Sequence, residues 1–278
     1  MKMATLTKLC IAVATAASLT STFAGSERVD TSKEVIAPPP VCDPRWYISI
    51  GGGTDFPVSE FSNGLTETVG GTDLVIKSRD WDDVYNNFIN IKGEVGYVLN
   101  DHIELFGNFQ YSRADNELVR GSTATFAGRT REFFSKWGDY EAFGGELGLR
   151  WFFVPKDAKI RPYVSIAGGA TMVESIKLHA DQSSPFFSAG GPFTIYDGAF
   201  YDDTIVFTGT LMVGVEYNVT CHWAVGSGVG VRYQSELDEN DHDFNASGSS
   251  AIRALTALNH DSGDRLSIPT MVYAKFRF

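Results

Sequence analysis

No stretch of the chain approaches 18 consecutive apolar residues, which excludes a helix long and apolar enough to cross a bilayer. Basic charge is scarce. The chain has 23 Lys and Arg against 34 Asp and Glu, a formal net charge of −11, and acidic loops argue against nucleic acid as a partner. Histidine is sparse as well. His102 and His222 lie near no evident Ser–acid pair. His179, His242 and His260 fall in polar segments with Ser and Asp about them, as in any polar loop. A base–acid–nucleophile constellation is therefore not legible, and no enzyme activity is expected; a loop-borne lipid hydrolase is the remote alternative. The acidic stretch LDENDHDFN at 237–245 is dense in hard oxygen ligands but lacks the glycine and spacing of an EF-hand loop. Neither a metal nor a cofactor is expected.

The first 24 residues, MKMATLTKLCIAVATAASLTSTFA, have Lys2 and Lys8, a short apolar run from Leu9 to Leu19, and small Ala24 before Gly25. That order reads as a secretory signal peptide over 1–24. Cys10 lies within it, ahead of most of the apolar run, where a lipoprotein cysteine would follow. Residues 25–45 are polar and then proline-rich and read as a flexible linker ending in a semi-rigid extended segment. The remainder, 46–278, has 28 Gly in the whole chain and 13% aromatics to draw on. Composition alone fits a soluble all-β protein or a barrel that dilutes its apolar residues by alternation.

Eight strand-like runs follow, near 46–56, 84–99, 102–116, 139–153, 160–176, 203–218, 222–237 and 264–278. The gaps alternate strictly. Asn100-Asp101, the VPKDAK region and VTC are tight turns. The gaps near 57–83, 117–138, 177–202 and 238–263 are long. A soluble sandwich has no reason to gather its long loops at one end. Two segments, TDLVIKS at 72–78 and PFTIYD at 192–197, could extend or add hairpins, so ten strands remain open.

Within the runs, apolar residues alternate with a face that is rich in Gly and Ser and carries sparse charges of both signs. In 89–99, Ile89, Ile91, Val95, Tyr97 and Leu99 oppose Asn90, Lys92, Glu94 and Gly96. The charges on such faces are Lys92, Glu94, Glu104, Glu146, Arg150, Glu216, Arg232, Lys275 and Arg277, four acidic and five basic. Small side chains suit a crowded lumen. Unpaired buried charge costs several kcal/mol, so these nine are expected to form a lumenal ion-pair network. Proteins with a greasy lumen, of lipocalin type, are the soluble alternative, and the charged faces speak against it.

Aromatics sit where strands meet the short turns: Trp46, Tyr97, Trp151, Phe153, Tyr217, Trp223 and Phe278, with Tyr111 and Tyr233 near the long loops. At the end of the chain, MVYAKFRF places Val272, Ala274, Phe276 and Phe278 on one face and Tyr273, Lys275 and Arg277 on the other. Pro269 would break a ladder bond, so the spanning part of this strand is expected to begin after it. Cys42 and Cys221 both fall at the turn side. A secreted chain with two cysteines favours pairing, so a disulfide tying the linker to the rim is expected.

On WYISIGGGTDF as first strand, the turn–loop rhythm, and the terminal KFRF, the chain resembles the eight-stranded bacterial outer-membrane β-barrel family that includes opacity-type proteins and the OmpA-type membrane domain. The resemblance covers about 45–278. Phe276 and Phe278 match the family's C-terminal assembly signal, while Tyr273 stands where glycine is usual. Unlike in full OmpA-type proteins, no peptidoglycan-binding domain is expected after the barrel. The resemblance implies an all-β, closed antiparallel up-and-down transmembrane barrel in the cell outer membrane, with short periplasmic turns and long extracellular loops. Its partners would be outer-membrane lipid, lipopolysaccharide and the barrel-assembly machinery, with a glycan or protein ligand at the loops. A monomer is expected. An interior eight strands wide can be filled by side chains, so a structural or surface-interaction role is expected, with a narrow porin-like channel as the alternative.

Overall fold

Residues 43–62, 64–69, 71–183, 193–238 and 264–278 are described by the structure, a computed structural model. The expected signal peptide, most of the linker including Cys42, the acidic stretch beyond Asp238, and His242 and His260 lie outside the described residues. The strands are β1 (Trp46–Pro57), β2 (Glu60–Ser62), β3 (Leu65–Val69), β4 (Thr72–Ile76), β5 (Arg79–Asp80), β6 (Phe88–Val98), β7 (Ile103–Ala114), β8 (Leu118–Phe126), β9 (Arg129–Trp137), β10 (Tyr140–Phe152), β11 (Ile160–Val173), β12 (Ile176–Gln182), β13 (Phe193–Tyr201), β14 (Thr204–Asn218), β15 (Trp223–Gln234) and β16 (Arg265–Arg277); a single-turn helix, α1, spans Trp81–Val84.

Eight of them close a barrel in the order β1-β16-β15-β14-β11-β10-β7-β6, each pair antiparallel. The seam is made by the first and last strands, from Tyr47 opposite Arg277 to Pro57 opposite Ser267. It continues to the final residue. Trp46 N–H donates to the Phe278 carbonyl at 3.1 Å, and Phe278 N–H donates to that of Trp46 at 2.8 Å. Closure leaves no unpaired edge in the wall.

Ten barrel strands are excluded. The segments at 72–78 and 192–197 do form strands, but in a second sheet of six strands ordered β13-β12-β9-β8-β4-β3. The long loops are thus largely hairpins that pair with one another above the barrel, because β8 and β9 continue upward from the ends of β7 and β10 and offer free ladder groups to β4 and β12. The second barrel strand begins at Phe88 and not at Val84. Residues 81–84 turn as α1, where Asp80 and Asp83 form a capping box and Trp81 and Val84 are buried. Pro269 lies inside β16, where the spanning part was expected to start after it. Its missing N–H is absorbed as a gap in the β15–β16 ladder: Val229 faces Thr270 and Arg232 faces Ser267 with no change of register between them.

Two of the tight turns are pinned alike. Asn100 Oδ1 accepts from the N–H groups of His102 and Ile103 at 2.9 and 3.0 Å, and Thr220 Oγ1 accepts from those of His222 and Trp223 at 3.2 and 3.0 Å. Each histidine then turns Nδ1 to a carbonyl of the neighbouring strand, His102 to Phe152 at 2.9 Å and His222 to Arg277 at 2.8 Å. Both histidines are thereby structural. The third turn is held by Lys156, which bonds Asp43 and lies 3.5 Å from Asp101. The hydrogen bond from Lys156, and then its charge, hold the Asp43 carboxyl below the usual carboxylate range.

Glycines on the inner face make room for rings. A Cβ at Gly96 would lie 2.2 Å from Tyr47 Cζ, and one at Gly226 would lie 2.3 Å from Tyr273 Cζ. Gly96→Ala is expected to cost about 1–3 kcal/mol by overpacking, read from the urea midpoint of the folded band on unboiled gels. An unchanged midpoint would mean that the Tyr47 ring does not rest there.

Candidate functional site

The burial pattern of the wall is inverted relative to a soluble barrel. The outward side chains are apolar and bare: Leu147 is 77% exposed, Ile205 73% and Ile50 68%. Inward from them, Glu104, Glu216 and Lys275 are fully buried at 0%. Toward the short turns the outward stripe ends in exposed Trp46, Trp151, Phe153, Tyr217, Trp223 and Phe278. The Trp46 and Tyr97 rings meet at 4.9 Å, and Arg45 reaches the Tyr97 hydroxyl at 3.4 Å. An apolar exterior with charge inside is stable only when hydrocarbon is the outer solvent. This is the fold of an eight-stranded transmembrane barrel.

The barrel's interior charges are paired in two groups. The lower group, toward the turns, centres on Glu104 and Glu216. Lys275 bridges them, 2.8 Å from Glu104 and in direct contact with Glu216. Arg161 lies 3.5 Å from Glu104 and 3.1 Å from Glu216, and Arg277 also bonds Glu216. Arg150 joins Glu94 at 3.0 Å to Glu104 at 3.4 Å. The Tyr47 hydroxyl donates to Glu94 at 3.0 Å. In the upper group Lys92 lies 3.9 Å from Glu146, Thr210 donates to Glu146 at 2.6 Å, and Arg232 pairs with Asp55 at 2.9 Å. All nine charges predicted for the interior face it and are buried, though they divide between these two groups.

Sequence reasoning missed three charged members, Asp55, Arg161 and Arg265, and the rings of Phe152 and Tyr163, all of them buried. Arg161 sits 3.5 Å over the Phe152 ring, and the Arg150 guanidinium is 5.0 Å from both Phe106 and Tyr163. The alternation Ile160, Arg161, Pro162, Tyr163 carries a signal for Arg161 and Tyr163. Asp55 and Arg265 sit at the loop ends of their strands, where the alternation gives way to turn-rich sequence.

A cavity of about 480 Å³ opens at the turn end, lined by Glu104, Arg161, Lys156 and Arg277 among others, but among the described residues it narrows inward. A cavity of about 20 Å³ remains in mid-barrel, among Lys92, Glu94, Phe106, Arg150, Tyr163 and Tyr273, room for about one water. Above the upper charges lies an aromatic cap supplied by the loop elements. Phe61 is its centre, with ring centroids 4.7 Å from both Trp81 and Trp137 and 5.8 Å from both Tyr85 and Tyr201. Phe88 and Tyr140 form its floor, 5.2 Å apart. Trp81 Nε1 donates to the Asp264 carbonyl at 3.0 Å, which ties the cap to the start of β16. Burial among these rings pushes the Tyr85 phenol well above the ordinary tyrosine range. Its neutral form is the folded one, so the associated stability is whole below about pH 10 and is lost as pH rises toward the folded value. Loosening of the cap in that alkaline range is expected, seen as Tyr85-dependent loss of tryptophan quenching and absent in Tyr85→Phe.

His179 has carboxylate neighbours, Nε2 3.3 Å from Asp181 and Nδ1 3.6 Å from Asp197, on the outer six-stranded sheet. No cluster of three or more metal-ligating side chains occurs among the described residues. Cys221, at the turn rim, is disulfide-bonded; Cys42, its expected partner, lies outside the described residues.

No family model matches the chain, and no curated relative matches it. Among solved structures it is similar to the Neisserial surface protein A, at 13% identity and a TM-score of 0.40, covering 84% of this chain and 97% of the other. Ail, the attachment invasion locus protein of Yersinia pestis, matches at 14% identity and a TM-score of 0.39, covering 85% and 99%. The outer membrane protease OmpT of Escherichia coli matches at 12% identity and a TM-score of 0.39, covering 89% and 100%. These likenesses span differently named roles and choose none for this chain.

Proposed function

We propose that the protein is an integral outer-membrane barrel, exported by its signal peptide and inserted as a monomer with Phe276 and Phe278 as its assembly signal. In this reading the body is a rigid mount, and the six-stranded sheet above it makes surface contacts with a glycan or protein. The observation that supports membrane insertion is the bare apolar belt around a salt-bridged interior. The observation that favours a mount over a channel is the narrow mid-barrel, with about 20 Å³ free among its charged and aromatic side chains and aromatic rings above it. A channel of useful conductance needs a continuous aqueous path, and eight strands enclose little more than their own side chains.

The test pairs two measurements on the purified full chain. Unboiled gels are expected to show a compact, heat-modifiable band that needs detergent or bilayer to persist. A processed chain that stays monomeric without detergent would overturn the membrane reading. In planar bilayers the inserted protein is expected to give no discrete conductance steps; reproducible steps would replace the mount with a pore.

A further inference from the structure

Beneath the aromatic cap, three neighbouring strands bring together four buried residues that carry unused donors. In register, Thr208 of β14 faces Gln234 of β15, and Gln234 faces Arg265 of β16. Ser267 is two residues along β16 on the same inner face, opposite Arg232. None of the four is more than 2% exposed. Yet Thr208 Oγ1, Gln234 Nε2, Ser267 Oγ, and Arg265 Nε and Nη1 have no hydrogen-bond partner. Directly opposed positions on paired strands hold their Cβ atoms about 5 Å apart, so Thr208, Gln234 and Arg265 form a row across three strands, with Ser267 beside it, on one stretch of the inner wall.

The charge there is also unbalanced. Arg232 and Arg265 share the single carboxylate of Asp55, at 2.9 and 3.8 Å. Asp55 Oδ1 itself has no donor. Over the whole interior, seven buried cations face five buried carboxylates among the described residues. The rings of Phe88 and Tyr140, 4.6 and 4.7 Å from the Arg265 guanidinium, attract its charge but are weak acceptors for its N–H groups. A buried cation and several buried donors left without acceptors are costly. A negative ligand relieves both at once.

We propose that the upper lumen holds one small inorganic anion of halide class, bound by Arg265, Ser267, Gln234 and Thr208 beneath the cap. The aromatic floor, with Phe88 and Tyr140 4.6 and 4.7 Å from the Arg265 guanidinium, and the Arg232–Asp55 pair keep these donors from water, and dry surroundings favour a weakly hydrated monovalent ion over a multiply charged oxyanion, whose desolvation costs far more. Its role is to complete the interior charge pairing. This stands apart from the surface role proposed above, since it holds whatever the outer sheet binds.

The experiment uses the full chain refolded in detergent, with sodium bromide as the probe. Melting is compared in sodium chloride, bromide and gluconate at equal ionic strength, and crystals are soaked in bromide for anomalous scattering. Chloride and bromide are expected to raise the melting temperature saturably over gluconate, by about 2–4 °C. An anomalous peak is expected within contact of Ser267 Oγ and the Arg265 guanidinium. Ser267→Ala and Thr208→Val, which leave every ion pair in place, are expected to raise the half-saturating halide concentration by about tenfold. Equal melting in all three salts with no peak would overturn the proposal, leaving water to satisfy the donors. A peak without a melting response would mean binding at crystal concentration only, and would overturn it equally.

Discussion

Glu216→Gln is expected to cost the barrel about 3–5 kcal/mol, the penalty for breaking a buried ion pair by removing one partner. Glu216 is contacted by Lys275, Arg277 and Arg161 and accepts from the Tyr273 hydroxyl at 3.4 Å. Removing its charge leaves three cations in one layer with Glu104 as their nearby carboxylate, itself already shared with Arg150. Urea unfolding followed by the gel shift measures the loss. A paired replacement, Glu216→Met with Lys275→Met, is expected to recover part of it, because one of the three stranded cations is gone while Arg161 and Arg277 still lose Glu216. If the single variant unfolds at the parent midpoint, the lower charges are solvated and the lumen is not dry.

Leu147→Arg is expected to cost about 2–4 kcal/mol of stability in lipid vesicles, the price of an arginine near the bilayer midplane. Leu147 is 77% exposed. It lies in the middle of β10, opposite Gly107 on one side and Gly168 on the other, so no protein contact accounts for a large effect. In water, a surface leucine replaced by arginine would change stability by within about 0.5 kcal/mol. The two environments thus differ by several-fold in expected effect for one substitution. A matched change near the turn rim, Val219→Arg, is expected to cost about 0–1 kcal/mol, since Val219 lies beyond β14 in the tight turn. Equal, small effects at both sites would remove hydrocarbon as the outer solvent.

Much of this was readable in order. The strand count and the turn–loop rhythm come through because each wall strand sees two solvents, and a period of two is the only pattern that serves both faces. The same pattern located Glu94, Glu104, Glu216 and Lys275, since a charge on an otherwise small, apolar-flanked face has nowhere to go but inward. Arg161 was missed for want of the same test on its strand. Asp55, Arg265 and the cap were not available to it, because their positions depend on how distant loop segments pack. Phe61 and Trp81 sit in turn-rich sequence, and only assembly brings Phe61 against Trp137 and Tyr201 and Trp81 against Tyr140.

Local alternation, then, determined which side chains face inward in each wall strand, because pleat geometry is a property of consecutive residues. Which charges meet, how six hairpin strands join above the wall, and that rings close the lumen were decided by tertiary structure. Pairing partners such as Glu104 and Lys275 are 171 positions apart, and only barrel closure and shear bring them to the same height.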